Sequence, residues 1–127
     1  MAPKQTGAAP RVALYVSGCI AAYKACEVLR GLQKAGCEVR VAMTAAAERL
    51  VGPATFRALT GREVIDDLFS CAESPIAHID LAEWSDLALV CPATANVLAR
   101  LAHGIADDAV TSSLLATTAP VIVAPAM

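Results

Sequence analysis

Short apolar runs alternate along this sequence with segments of helical periodicity. The first run, Arg11–Val16, ends at Ser17-Gly18, and apolar residues then recur at the three- and four-residue spacing of an amphipathic helix. Further apolar runs at 38–43, 87–91 and 121–124 are separated by more helical patterns. This order predicts an α/β fold with a parallel sheet that is covered on both faces. Ligands of such sheets bind beyond the carboxyl ends of the strands.

The middle of the chain contains shorter elements. Residues 45–50 are predicted to be helical, and Gly52-Pro53 begins a second short helix that ends at Gly61. A brief strand is expected at 63–65. Residues 66–75 have no clear periodicity and are therefore expected to form a surface loop, with His78 at its end.

Two helices are predicted in the last third of the chain. Thr94 or Asn96 is expected to cap the first helix, which runs to His103-Gly104. Asp107-Asp108 precedes the second helix at 109–117, where acidic side chains complement the helix dipole. The dipole explains this acidic pair without a metal ion, so no metal site is predicted.

Composition excludes several classes of protein. A chain of 127 residues has room for one domain, and a net charge of −2 without a long basic run excludes a nucleic-acid footprint. Residues 1–10 lack the apolar core of a signal peptide and are expected to be a disordered leader. The uncharged stretch 109–127 contains Ser, Thr and Pro, which argues against a membrane span. Five cysteines without a C-x-x-C pair predict reduced thiols, hence a cytoplasmic protein.

The first strand-to-helix loop, residues 17–22, is a candidate phosphate site. Backbone amides at the start of a helix, together with the helix dipole, attract anions. The loop matches neither the G-x-G-x-x-G fingerprint nor a P-loop, because the required later glycines and the G-K-[ST] sequence are absent. The alternative is a tight turn that requires Gly18, and the pattern alone does not decide between them.

For the other candidate reactive side chains, a functional interpretation is weighed against a structural one. His78 could transfer protons near neutral pH, or it could be a hydrogen-bonded structural residue. His103 is expected to interact with the carbonyl groups at a helix end. Cys19 and Cys91 have no base next to them in sequence and are therefore expected to be small buried residues rather than reactive thiols.

Six segments taken together resemble one protein family. They are SGCIAAYK at 17–24, VRVAMT at 39–44, HIDLAEW at 78–84, PATAN at 92–96, LAHGIADD at 101–108 and APAM at 124–127. Their order and spacing resemble those of the homo-oligomeric flavin-containing cysteine decarboxylases. Within that family the chain looks most like the domain that decarboxylates 4′-phosphopantothenoylcysteine in coenzyme A biosynthesis.

The resemblance implies a single-domain, Rossmann-like flavoprotein with a doubly wound parallel sheet that occupies residues 11–127. It implies FMN as cofactor, a small-molecule substrate, and homotrimers or multiples of trimers, without nucleic acid or membrane partners. His78 takes the position of the family's active-site base. The implied FMN contacts are Gly18, Cys19, Ile20, Thr44, Ala45, Thr94, Ala95, Asn96, Val97 and Ala126.

The sequence departs from the family pattern at three places. Cys19 stands where Gly or Ser is common, and Val97 stands where Thr is common, so each change is expected to remove a hydroxyl contact to the cofactor. The family's substrate-binding asparagine follows the APAM segment, and a proton-donating cysteine comes later. Neither lies within these 127 residues, so we expect a flavodomain without its C-terminal part.

Two other functions remain open from the sequence. A related flavoprotein could act on another substrate, either as a decarboxylase of peptidyl cysteines or as a flavin prenyltransferase. The chain could also be a non-catalytic module that binds flavin or joins other subunits.

Overall fold

The computed structural model describes residues 7–126 and contains one sheet of four parallel strands. The strands lie in the order β2-β1-β3-β4. They are β1 (Arg11–Val16), β2 (Glu38–Met43), β3 (Leu87–Ala93) and β4 (Val121–Pro125). The helices are α1 (Ala22–Lys34), α2 (Ala45–Glu48), α3 (Pro53–Thr60), α4 (Ala77–Trp84), α5 (Ala95–His103) and α6 (Ala109–Ala116).

The strand order contains a topological switch point between β1 and β3. From β1 the chain moves through α1 to β2 on one side, whereas from β3 it moves through α5 and α6 to β4 on the other. Loops that leave such a pair of strands diverge and open a crevice at the carboxyl edge of the sheet. The predicted Rossmann-like, doubly wound α/β fold is confirmed.

Alternate residues of the strands form two apolar cores. Val12, Leu14 and Val16 of β1 point toward α1 and α3, where Leu29 and Phe56 are fully buried. The intervening residues of β1 point to the opposite face, which α4, α5 and α6 cover. That second core contains several small side chains, including Ala13, Ala42, Ala77, Ala88, Ala93 and Ala109.

A buried hydroxyl pair ties this second core together. The Tyr15 hydroxyl lies 2.7 Å from Ser113 Oγ of α6, and both residues are fully buried. Burial raises the pKa of the Tyr15 phenol to about 12, so the hydroxyl stays protonated at neutral pH.

The structure corrects the prediction for the segment around His78. The histidine lies in the first turn of α4 rather than at the end of an irregular loop. The buried residues Ala77 and Leu81 have helical spacing, but α4 is only eight residues long and its N-cap residue, Ile76, has no capping side chain. The usual sequence signals for the start of a helix are therefore missing here.

Strand β3 extends beyond its predicted end at residue 91, through Pro92 to Ala93. Proline has no N–H to donate, but its position coincides with an irregularity in the pairing with β4, between Val90 and Ala93. The predicted strand at 63–65 is reduced to one bridge between Ile65 and Ala42.

The expected N-terminal leader falls mostly outside the part of the chain that can be described. Residues 1–6 and Met127 lie outside the described residues, so the domain limits at 1–10 and 11–127 stay predictions. Within residues 7–126, no helix is long and apolar enough to cross a membrane.

We predict that Tyr15→Phe lowers the free energy of unfolding by about 1–3 kcal/mol, because it leaves the buried Ser113 hydroxyl without this partner. The double variant Tyr15→Phe/Ser113→Ala should recover part of that loss. Urea denaturation of both variants measures the effect. Tyr23→Phe is the matched control, since Tyr23 is exposed, and equal losses at both tyrosines would contradict the role of the pair.

Candidate functional site

A cleft of about 310 Å³ opens at the carboxyl edge of the sheet, at the switch point between β1 and β3. We call it the switch-point cleft. Its residues come from the loops after three strands and from the segment before α6. They are Gly18, Thr44, Ala45, Ala46, Thr94, Asn96, Val97, Arg100, Asp107 and Asp108.

Ser17 ties the two strands at the switch point together. Its hydroxyl donates a hydrogen bond to the carbonyl of Pro92 and accepts one from the N–H of Thr94 at 3.0 Å. The N–H of Ser17 also donates to the Pro92 carbonyl, at 3.3 Å. These bonds fix the loops after β1 and β3 relative to each other.

Gly18 allows the loop after β1 to approach α2 closely. A Cβ atom at position 18 would lie 2.4 Å from Ala46 Cβ and 2.9 Å from the Ala46 carbonyl carbon. Real side chains do not pack at such distances, so only glycine fits without a shift of the backbone. Gly18 is therefore required by a tight turn. This requirement does not exclude the second interpretation, in which the same loop binds a phosphate.

Two threonines cap helices at the floor of the cleft. Thr44 Oγ1 accepts from the N–H of Ala47 in α2, and Thr94 Oγ1 accepts from the N–H of Val97 in α5, each at 3.2 Å. The first N–H groups of α5 have no partner within the helix, because the α-helical hydrogen bond begins four residues later. The cap uses the N–H of Val97, which leaves those of Ala95 and Asn96 available for an anionic or polar ligand.

Charged side chains close one end of the cleft. Arg100 forms an ion pair with Asp107, and its Nε donates to Asn96 Oδ1 at 3.2 Å. The Asp108 carboxylate caps α6 by accepting from the N–H and the hydroxyl of Thr111, each at 2.7 Å. Both carboxylates therefore have compensating partners, which weakens their repulsion of an anion in the cleft.

Of the ten FMN contacts predicted from the resemblance, six line this cleft: Gly18, Thr44, Ala45, Thr94, Asn96 and Val97. The other four do not line it: Cys19, Ile20 and Ala95 are close to these in sequence, whereas Ala126 follows β4. Cys19 is buried and accepts a hydrogen bond from the N–H of Ala21, whereas the Ile20 side chain is 79% exposed. Ala95 begins α5, and the N–H of Ala126 donates to the Ala93 carbonyl at the end of β3.

The sequence did not identify five residues of the site. Ser17, Ala46, Arg100, Asp107 and Asp108 were not among the predicted contacts, although the structure places them in or beside the cleft. Arg100 follows Asn96 by four residues, a spacing that puts two side chains on one face of a helix. That spacing is the one signal that could have indicated Arg100.

His78 does not line the cleft but lies on the helix that leads to β3. After α4 ends, Asp86 joins the amino end of β1 by donating to the Arg11 carbonyl. The last turn of α4 therefore lies near the amino edge of the sheet, and His78 lies at the other end of this helix. The imidazole is half-buried, and its Nδ1 is buried without a hydrogen-bond partner among the described residues.

The switch-point cleft has the chemistry that FMN requires. Free amides at the start of α5 suit a phosphate, and the glycine and alanine side chains leave room for close approach of a flat ring. The cleft volume lies at the lower end of the range for small-molecule sites, about 300–1,000 Å³. By contrast, no group of three His, Cys, Asp or Glu side chains within residues 7–126 could hold a metal ion.

The carboxyl groups of Glu48 and Asp66 influence each other electrostatically. Glu48 lies at the end of α2, and Asp66 lines a smaller pocket of about 240 Å³ together with Asp67, Asp107 and Asp108. The neighbouring Asp66 carboxyl, together with burial, raises the pKa of Glu48 to about 7. Glu48 Oε1 is buried without a hydrogen-bond partner among the described residues.

Comparison with known proteins adds independent findings. The profile of the flavoprotein family matches residues 2–127. The bifunctional coenzyme A biosynthesis protein CoaBC of Bacillus subtilis is 56% identical over 117 residues, which are 91% of this chain and 29% of that protein. CoaBC of Escherichia coli K12 is 47% identical, over 94% of this chain and 30% of its own. The chain therefore spans about a third or less of the length of these relatives.

Solved structures with the same fold include two decarboxylases. The FMN-dependent cysteine decarboxylase SpaF has a TM-score of 0.87 and 38% identity, over 93% of this chain and 69% of its own. A PPC decarboxylase mutant complexed with pantothenoylaminoethenethiol has a TM-score of 0.80 and 28% identity, over 94% and 68% of the two chains.

We predict that Gly18→Ala reduces flavin retention by about tenfold or more, because the new methyl group pushes the loop after β1, the candidate phosphate site, away from α2. Flavin absorbance per protein after desalting measures the loss. The double variant Gly18→Ala/Ala46→Gly should recover part of it. Gly31→Ala on α1 is the matched control, since a Cβ there meets no atom within 4 Å, and equal flavin loss in this control would contradict the explanation.

A second prediction concerns pH. Since the pKa of Glu48 is about 7 in the folded protein and 4.5 in a free side chain, the folded state holds this proton more tightly. The resulting stabilisation is fully present below pH 4.5 and is lost as the pH rises to about 7.

Urea denaturation at pH 5 and pH 7 tests this contribution. The stability of the parent protein relative to Glu48→Gln should be greater at pH 5 than at pH 7. Asp66→Asn should remove most of this pH dependence, because the interaction with Asp66 is its largest cause. A stability difference that does not change with pH would contradict the raised pKa of Glu48.

Proposed function

Because this chain belongs to the flavoprotein family, we propose that it binds FMN and decarboxylates 4′-phosphopantothenoylcysteine to 4′-phosphopantetheine in coenzyme A biosynthesis. The observation that carries the proposal is the switch-point cleft, where loops from three strands bring six predicted flavin contacts together. The identity to the two CoaBC proteins supports this choice of substrate.

The residues of the cleft would hold FMN in two ways. The Gly18–Ile20 loop and the first amides of α5 would bind the phosphate, since both present N–H groups at a helix start. Thr44, Ala45 and the 94–97 segment would contact the remainder of the cofactor, with Ala126 on the far side. Cys19 and Val97 offer no hydroxyl, and their N–H groups already donate to the Ser17 carbonyl and to Thr94 Oγ1. Neighbouring residues of the two segments must therefore supply the polar contacts to the cofactor.

The chemistry divides between cofactor and protein. Bound FMN would accept two electrons from the cysteinyl group so that its carboxylate can leave as carbon dioxide, and would afterwards return them, which keeps the overall reaction redox neutral. The protein must orient the thiol and the carboxylate and must accept or return a proton. His78 is the candidate for the proton transfer, because an imidazole can accept or donate a proton at a ring nitrogen and because the resemblance gives this residue the position of the family's active-site base.

The buried Nδ1 of His78 supports that role. An unpaired buried nitrogen costs free energy, and a catalytic role is one explanation for such a group. A substrate group or a neighbouring subunit would complete its hydrogen bonding.

A second candidate substrate is another cysteine derivative. The likeness to SpaF favours it, because that protein is an FMN-dependent cysteine decarboxylase with a similar fold. The same cleft could hold FMN in either case, so the substrates must be compared directly. A flavin prenyltransferase and a non-catalytic flavin-binding module are the remaining alternatives.

We further propose that the protein works as a homotrimer, or a multiple of trimers, in the cytoplasm. Exposed apolar side chains at Ile20 and Tyr23, beside the cleft, support a contact between subunits. The five cysteines are free, which suits a reducing compartment.

We predict that His78→Asn lowers carbon dioxide release from 4′-phosphopantothenoylcysteine by about 10²- to 10⁴-fold while flavin stays bound. His103→Asn at the end of α5 is the matched control and should leave the rate within a factor of about two. The measurement is single-turnover carbon dioxide release by the full-length protein, with bound flavin determined by absorbance.

Three results would contradict the proposal. An active His78→Asn variant would show that His78 is not the base, and a colourless protein would show that flavin is not bound. Faster turnover of a C-terminal peptide cysteine than of 4′-phosphopantothenoylcysteine would favour the second candidate substrate.

A further inference from the structure

Helix α4 carries His78 but contains no side-chain cap at its start. Its N-cap residue is Ile76, and the N–H of Ile76 bonds instead to the Ser74 hydroxyl at 3.2 Å. A short helix of this kind obtains little stability from its own sequence. Its position therefore depends on tertiary contacts. Ala77 and Leu81 pack into the second core, and the loop before α4 and its last turn make further contacts.

Arg40 provides a contact to each of these two flanks. It lies on β2, and its side chain is only 7% exposed on the face that α4 covers. Its Nη2 lies 3.3 Å from Glu73 Oε2, in the loop that leads to α4. The centre of its guanidinium lies 5.4 Å from the ring of Trp84, the last residue of α4.

Glu73 in turn anchors its loop at several points. Its Oε2 accepts from Arg62 at 3.3 Å, and its Oε1 accepts from the N–H of Glu63 at 3.4 Å. The Glu73 carboxylate, near the end of the loop, therefore contacts Arg62 and Glu63 before the loop and Arg40 on β2. Breaking this junction would free the end of the loop next to Glu73, whereas the bridge between Ile65 and Ala42 would still hold its start.

Burial gives these contacts their strength. A guanidinium out of water has lost its hydration, and here Arg40 Nε is buried without a partner. The ion pair with Glu73 and the face of Trp84 are thus its main compensation. Burial lowers the pKa of Arg40, with the positive charge of Arg62 as a second cause, but an arginine remains charged.

We propose that Arg40, Glu73 and Trp84 form a clamp that positions α4, and through it His78, for proton transfer. Only the part of this proposal that concerns proton transfer by His78 rests on the proposed function. The clamp on α4 does not depend on it. None of the three residues lines the switch-point cleft, so each is a positioning residue that acts through α4 and does not touch FMN.

Hydrogen exchange tests the clamp without reference to catalysis. In Glu73→Gln, peptides that cover α4 should exchange about tenfold faster or more, whereas peptides from α5 should not change. Trp84→Leu should have the same effect, and Trp84→Phe, which keeps an aromatic face for Arg40, should restore most of the protection. Unchanged exchange in α4 of Glu73→Gln would overturn the clamp.

Kinetics test whether the clamp positions His78. Glu73→Gln should lower kcat by about 10- to 100-fold with KM and flavin content within about twofold of the parent. In a His78→Asn background the same change should cause no further loss, because its effect passes through His78. Full kcat in Glu73→Gln, together with faster exchange in α4, would overturn the positioning role.

Glu63→Gln is the matched control. It makes the same change of charge and removes an exposed ion pair with Arg57, which lies on α3 and away from α4. Its kcat and the exchange of α4 should equal those of the parent, and an equal loss in this control would overturn the assignment to Glu73. An inactive parent would contradict the proposed function, while the exchange measurement would still decide whether the clamp exists.

Discussion

The hydrogen bonds of Ser17 hold the structure together at the point where its two halves diverge. At the switch point, β1 leads to a helix on one face of the sheet and β3 leads to a helix on the other. Their pairing ends at Tyr15 and Val90, so backbone bonds alone do not fix the loops that follow. The Ser17 hydroxyl joins the Pro92 carbonyl and the Thr94 N–H, and it thereby sets the width of the cleft.

The remaining features of the site follow from this arrangement. With the ends of β1 and β3 fixed, Gly18 can approach Ala46, and Thr94 can present α5 with its first amides open toward the cleft. The candidate base belongs to a different element, which Arg40 joins to β2. The proposed binding of the cofactor and the proposed proton transfer would thus depend on separate contacts, so that each could be disrupted without the other.

Much of the fold could be predicted because strong local signals and tertiary packing agree. Strands β1 and β2 have their predicted limits, and Thr94 caps α5 as one of the two expected residues. Helix α4 was missed because it is short, lacks a capping side chain and depends on the distant Arg40. The role of Ser17 could not be predicted either, since its partners lie 75 and 77 residues away. The predicted roles of the site residues came from the resemblance, and local pattern alone left Gly18 and His78 undecided.

A crystal structure of the protein purified with its flavin would test the central claim most directly. The account predicts electron density for FMN in the switch-point cleft, with the phosphate against the Gly18–Ile20 loop and the start of α5, and the rest of the cofactor beside Thr94–Val97. A second, apolar groove lies between α5, α6 and β4 and is lined by Leu101, Leu114 and Val121, among others. Flavin bound in that groove, or a switch-point cleft that stays empty at saturating FMN, would contradict the account.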